Sequence, residues 1–141
     1  MTARDLMTLN PATLTVRANI AEAWDLMREL EIRHVPVVDG GTLVGMLSDR
    51  DLARVDVARL LMAGGATGLE EELRTPVAKV MSGDVISVDP GTALGEIVDL
   101  LIESKVGALP VVESDTRAIV GIVSYIDVLR ALQDVLEDEE D

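Results

Sequence analysis

Apolar and polar positions change rhythm along the chain in a fixed order, and that order occurs twice. Thr13-Leu14-Thr15-Val16 alternates as a half-buried strand does, and Val85-Ile86-Ser87-Val88 repeats the alternation. Behind each stretch the period becomes helical: Ile20, Ala23, Trp24, Met27 and Leu30 form one stripe, and Leu94, Ile97, Val98 and Leu101 form its counterpart. Val35-Pro36-Val37-Val38 and Leu109-Pro110-Val111-Val112 are short β-branched runs. Their prolines, which have no ladder N–H, predict a strand entrance or a sheet edge. Asp39-Gly40-Gly41 then turns the chain into Thr42 to Leu47, and Glu113 to Thr116 makes a longer turn into Ala118 to Val123, so each pair predicts a hairpin. Helices close both copies, with Leu52, Val55, Leu60 and Leu61 as apolar positions in one and Val128, Leu129, Leu132 and Leu136 in the other.

The repeat extends to the ends of each copy. Thr2 to Met7 and Thr75 to Met81 predict short helical lead-ins with Met7 and Met81 in equivalent places, and Asn19 with Glu22 predicts a capping box at the first long helix. Pro90-Gly91-Thr92 opens the equivalent helix of the second copy. The predicted organisation is a first repeat over residues 1–62, a linker over 63–74, a second repeat over 75–136 and an acidic tail over 137–141. Ala63-Gly64-Gly65-Ala66-Thr67-Gly68 is expected to break the first copy's closing helix, with Leu69 to Leu73 carrying the chain over. This run lacks the lysine and serine or threonine of a phosphate-binding P-loop and follows no strand.

Candidate chemistry sits where the last strand of each copy meets its last helix. Gly45-Met46-Leu47-Ser48-Asp49-Arg50-Asp51 returns as Gly121-Ile122-Val123-Ser124-Tyr125-Ile126-Asp127. Serine is a favoured N-cap, and an acid three residues on resembles a capping box, although aspartate is shorter than the usual Glu or Gln and is expected to close the box less well. The same geometry presents free amides and the positive helix pole to a ligand, with Asp51 and Asp127 as acceptors for its hydroxyls. Both readings stand. Arg33 and Arg50 either hold an anion or form weak surface ion pairs. His34 is either a ligand-facing group or a structural histidine, and without neighbouring cysteine or histidine it predicts no metal site. Tyr125 either stacks on a base or covers the helix end.

Composition narrows the function. With 48% apolar residues, only Trp24 and Tyr125 as aromatics and no cysteine, the core is aliphatic, and disulfides, thiolate metal sites and cysteine nucleophiles are excluded. Trp24 aligns with Val98 and is read as a core position or subunit contact. The formal net charge of −14 opposes binding to nucleic acid or anionic membrane. Residues 1–60 carry a net −2 and the remainder −12, with six acids in 134–141 read as a solvated terminus. No apolar run approaches a membrane span, and Met1-Thr2-Ala3-Arg4-Asp5 does not build a signal peptide, so a cytoplasmic protein is expected.

The order strand, helix, strand, strand, helix, occurring twice with these motifs, resembles the cystathionine-β-synthase (CBS) domain pair, or Bateman module. Met7-Thr8, Arg33 to Val38 and Ser48 to Leu52 are similar to the family's first repeat; Met81-Ser82, Leu109 to Val112 and Ser124 to Asp127 are similar to its second. The resemblance implies an α/β (α+β) fold of two tandem βαββα repeats packed sheet to sheet about a pseudo-twofold axis. Two clefts between the repeats would take adenosine-containing ligands: AMP, ADP, ATP or S-adenosylmethionine. It implies ligand-binding roles for Ser48 and Asp51 in one cleft and for Ser124 and Asp127 in the other, and a homodimer.

Arg33, His34 and Arg50 adjoin the first motif, whereas Gly107, Ala108 and Ile126 hold the matching places in the second. Phosphate needs cationic partners, so a phosphorylated nucleotide is expected at the first cleft, with the second empty or holding a less charged ligand. The expected function is a non-enzymatic sensor that signals ligand occupancy through its dimer to a regulated protein. The alternative is a ligand-free dimerisation or adaptor unit. An enzyme is disfavoured by the absence of a nucleophile or metal-hydrolase motif and by the separation of Asp51 and Asp127 into different repeats.

Overall fold

The computed structural model describes residues 1–54 and 66–140. In chain order the elements are α1 (Ala3–Leu6), β1 (Thr8–Leu9), β2 (Leu14–Thr15), α2 (Ile20–Leu30), β3 (His34–Asp39), β4 (Thr42–Ser48) and α3, helical over residues 49–54. There follow α4 (Ala66–Leu73), a 3-10 turn (Val77–Lys79), α5 (Leu94–Ser104), β5 (Ala108–Val112), β6 (Ile119–Ser124) and α6 (Tyr125–Glu140). The class is α+β with two three-stranded sheets. Val55, Leu60 and Leu61 of the first closing helix and Ala63 to Gly65 of the linker lie outside the described residues. Of the run expected to break that helix, Ala66 to Gly68 begin a new helix, α4.

The chain forms two compact units: unit I is Ala12–Val85, and unit II joins Met1–Pro11 to Ile86–Asp141. In unit I, β2 runs parallel to β3 with Leu14 opposite Val37, and β3 pairs antiparallel with β4 with His34 opposite Ser48. Beyond β4, Met46 and Ser82 exchange backbone hydrogen bonds of 3.0 and 2.9 Å. Unit II follows the same plan. Its β5 and β6 form the hairpin, Val88 bridges to Val111 in the place of β2, and β1 lies along the far side of β6 with Thr8 opposite Ile122. The lead-in of each copy therefore completes the sheet that carries the other copy's hairpin, which is why the spatial units cross the sequence repeat.

That exchange explains the glycine in each motif. A β-carbon built on Gly45 would come within 2.9 Å of Met81 Cγ, and one on Gly121 within 2.9 Å of Met7 Cγ. Contacts below 3.0 Å force something to move, so each glycine is the recess in which the opposite lead-in's methionine lies.

Both prolines depart from expectation. Pro36 and Pro110 are fully buried within their strands, and β3 is the central strand of its sheet. In unit II the reason is visible in the ladder: Val88 donates to the Pro110 carbonyl at 3.0 Å and Val112 donates to the Val88 carbonyl at 2.9 Å. The neighbouring segment uses groups beyond the proline nitrogen, so the missing N–H leaves no acceptor unpaired.

Local signals elsewhere hold. Asn19 accepts from the Glu22 amide at 2.9 Å while Glu22 reaches back to the Asn19 amide, capping α2. The second helix differs, since α5 begins at Leu94 behind Ala93, which supplies no side-chain cap. Both helices end in a left-handed residue, Glu31 and Lys105, at φ 54°. Gly40 and Gly41 take φ of 58° and 83°, the two positive values of a tight hairpin turn joining Asp39 to Thr42. The expected strands at Thr13–Val16 and Val85–Val88 shrink to Leu14–Thr15 and a single bridge at Val88. Unit I buries Leu14, Ile20, Met27, Val35, Leu47 and Leu52, with Trp24 packed half-buried against them; unit II buries Ile97, Leu109, Val111 and Val123.

Candidate functional site

The hairpin register assembles the first candidate site. Because His34 lies opposite Ser48 and the Asp49 amide donates to the Arg33 carbonyl at 2.9 Å, residues far apart in sequence meet at one end of the unit I sheet. Arg33, His34, Ser48, Arg50 and Asp51 are gathered there, as expected. Asp49, which the motif reading passed over, joins them; its signal was the strand register, which a motif scan does not use.

The side chains differ in how they are held. Ser48 and Asp51 are half-buried and close a reciprocal cap: the Ser48 amide donates to Asp51 Oδ2 at 2.9 Å, and the Asp51 amide donates to Ser48 Oγ at 3.2 Å. Arg33 and Arg50 are exposed, and His34 is half-buried. Burial pushes the His34 imidazole below its usual value of 6.5; the carboxylates of Asp49 and Asp51 oppose this, and Arg33 and Arg50 reinforce it. At neutral pH it is an uncharged imidazole, able to donate at one nitrogen and accept at the other.

The second candidate site has the same frame and different chemistry. Ala108 lies opposite Ser124, and the Tyr125 amide donates to the Gly107 carbonyl at 3.0 Å. The Ser124 amide donates to Asp127 Oδ2 at 2.8 Å and the Asp127 amide to Ser124 Oγ at 3.3 Å. Here the serine hydroxyl also donates to Asp127 Oδ2 at 3.1 Å, a bond with no counterpart at Ser48 among the described residues. Tyr125 and Ile126 are exposed where the first site has Asp49 and Arg50.

The boxes close more fully than aspartate's length led one to expect. A third closes at α1, where the Thr2 amide donates to Asp5 Oδ2 at 2.8 Å, so among the described residues Ser/Thr-x-x-Asp starts a helix in three places. Asp51 and Asp127 are thus occupied acceptors through Oδ2. Among the described residues no cluster of histidine, cysteine, aspartate or glutamate could hold a metal ion, and no helix is long and apolar enough to cross a membrane.

Comparison with known proteins accounts for this frame. The CBS domain model matches residues 3–58 and again 77–134. A CBS domain-containing protein of Bacillus subtilis, YhcV, is 36% identical over 124 residues, spanning 88% of this chain and 80% of the relative. The crystal structure of AcuB from Vibrio cholerae has a TM-score of 0.84 at 34% identity, covering 100% of this chain and 98% of that one. That of CBSX2 in complex with AMP has a TM-score of 0.79 at 29% identity, covering 95% and 97%. A homoserine O-acetyltransferase of Methanocorpusculum labreanum is 34% identical, but the match takes in only 23% of that enzyme. With its two matched repeats, the chain belongs to the CBS domain family and forms a tandem CBS pair.

Proposed function

We propose that the chain is a regulatory module that binds an adenosine nucleotide of the AMP type at the Ser48–Asp51 helix start. One observation carries this reading: two arginines, a neutral histidine and a serine–aspartate helix start meet at one sheet end, in a chain similar over 95% of its length to a CBS protein crystallised with AMP. Arg33 and Arg50 supply the positive charge that a phosphate requires in an acidic chain. The Asp49 and Asp51 amides already donate within the protein, so the Arg50 amide is the first-turn donor offered at the positive helix pole. Oδ1 of Asp51 accepts from ribose hydroxyls, and His34 offers one donor and one acceptor. The Ser124 site has Gly107, Ala108 and Ile126 in the places of Arg33, His34 and Arg50 and ties up its serine hydroxyl, so it takes an uncharged adenosyl ligand or none.

Occupancy acts on a partner protein by shifting a population, by no more than the ligand's differential affinity for the states available. Thermal denaturation tests the binding step. AMP at about a hundred times its dissociation constant adds roughly 2.7 kcal/mol, which at this length raises Tm by several degrees. Loss of the shift in Arg50→Ala, whose exposed side chain has no part in the cap, assigns the phosphate contact. The second reading is a ligand-free adaptor, and the closure of all three boxes favours it, since Ser48 and Asp51 already satisfy each other. An unmoved Tm across AMP, ADP, ATP and S-adenosylmethionine would leave that reading alone standing.

A further inference from the structure

In each glycine recess the atom nearest to where a side chain would begin is a sulfur: Met81 Sδ lies over Gly45 and Met7 Sδ over Gly121. Both methionines are half-buried, and each packs against the core of its unit. Each also stands beside the backbone bonds that seat its lead-in. Ser82 follows Met81 and exchanges hydrogen bonds of 3.0 and 2.9 Å with Met46, while Thr8 follows Met7 and lies opposite Ile122. The chain has no cysteine, so the thioethers carry all of its sulfur chemistry. Among the other described methionines, Met1 is 61% exposed, Met46 is half-buried and Met27 is 6% exposed within the unit I core.

We infer that Met7 and Met81 are modification sites for hydrogen peroxide, and that their sulfoxides loosen the lead-ins from the two sheets. In the step, a sulfur lone pair attacks one peroxide oxygen; the S–O bond forms as the O–O bond breaks, and the second oxygen leaves as water after proton transfer. Sulfur is oxidised by two electrons and the peroxide is reduced. The thioether suits the recess because it is slim and apolar, whereas the sulfoxide adds a polar oxygen and a chiral centre. On the glycine side the strand backbone already fills the space. On the other side lies an aliphatic core, where burying a strong acceptor without a donor is costly. The new oxygen reaches water when the side chain leaves the recess, and the neighbouring backbone bonds lose their support. Met1 is a control within the same chain, since its exposed side chain gives up no packing on oxidation. Methionine sulfoxide reductases, supplied with a dithiol, remove the oxygen as water and restore the docked thioether.

The test treats the full chain with hydrogen peroxide and locates the added oxygen by peptide mass spectrometry. Met7 and Met81 are expected to be oxidised well before Met27, with a fall in Tm of several degrees. In the oxidised chain the Met46 and Ser82 amides, which hydrogen-bond across the lead-in contact, should exchange with deuterium at least about tenfold faster. Treatment with both epimer-specific reductases and dithiothreitol should reverse each change. A Met7→Leu/Met81→Leu chain should keep its Tm through the same treatment, whereas Met46→Leu should remain sensitive. The exchange measurement uses the unsubstituted chain, so it decides the matter even where the double variant fails to fold. Met7 and Met81 as slow to oxidise as Met27 would overturn the proposal. So would oxidation at both that leaves Tm and amide exchange unchanged, or a fall in Tm that persists in the double variant. None of these readouts involves AMP, so failure here leaves nucleotide binding untouched and failure of binding leaves the oxidation sites standing.

Discussion

Met81 occupies the space that a side chain at Gly45 would need. The pair joins the lead-in of the second repeat to the last strand of the first repeat's hairpin, and Met7 with Gly121 repeats it in the other unit. Both pairs stand beside the serine–aspartate helix start, so the docking of a lead-in and the shape of a candidate site depend on one strand.

Gly45→Ala tests this contact by its sign. In an unconstrained strand alanine packs better than glycine, but here the added carbon meets Met81 and is expected to cost about 1–3 kcal/mol, as overpacking does. Combining it with Met81→Ala removes the clash, so the double variant should be more stable than the sum of the two single losses. Urea unfolding of the four chains measures the coupling; strict additivity would show that the methionine does not press on Gly45.

The caps predict a graded set of losses. Asp5→Ala, Asp51→Ala and Asp127→Ala each remove the acid arm of a capping box and should each lower the denaturation midpoint. Asp127→Ala should stand highest of the three, because Asp127 Oδ2 also holds the Ser124 hydroxyl. Equal losses at all three positions would remove the structural distinction between the two sites.

Stability should rise with pH near neutrality through His34. Its folded value lies below 6.5, so between the two values the unfolded chain binds more protons. The contribution is complete above 6.5 and is lost as pH falls from there through the folded value. Asp5 acts lower: its hydrogen bond from the Thr2 amide holds it below 3.8, so its contribution is present above 3.8 and lost as pH falls through its folded value. Denaturation midpoints measured just above and just below the histidine range should differ for the native chain, and His34→Gln should flatten the difference. A slope that survives this substitution would assign it to other groups.

What could be read from the residues alone was local. The twofold order of elements, the Asp39–Thr42 turn, the Asn19 cap and the gathering of Arg33, His34 and Arg50 near Ser48 follow from period, turn chemistry and hairpin register. The exchange of lead-ins was not visible, because the pairing of β1 with β6 spans most of the chain and two residues are too few to carry a pattern. The buried prolines were misplaced for a related reason: whether Pro110 is tolerated depends on where the neighbouring segment begins, and Val88 sits far from it in sequence. Aspartate's ability to close the Ser48 and Ser124 boxes was underestimated because its reach depends on how closely the first turn approaches, which residue type does not report.

Calorimetric titration of AMP into the full chain tests the nucleotide site most directly. The expected result is one exothermic site per chain, weakened about 10–100-fold by Arg50→Ala through the loss of a charge-assisted hydrogen bond, and unchanged by Ile126→Ala at the corresponding place of the second copy. Two equal sites, or one site indifferent to Arg50→Ala, would contradict the assignment of nucleotide to the Ser48–Asp51 helix start.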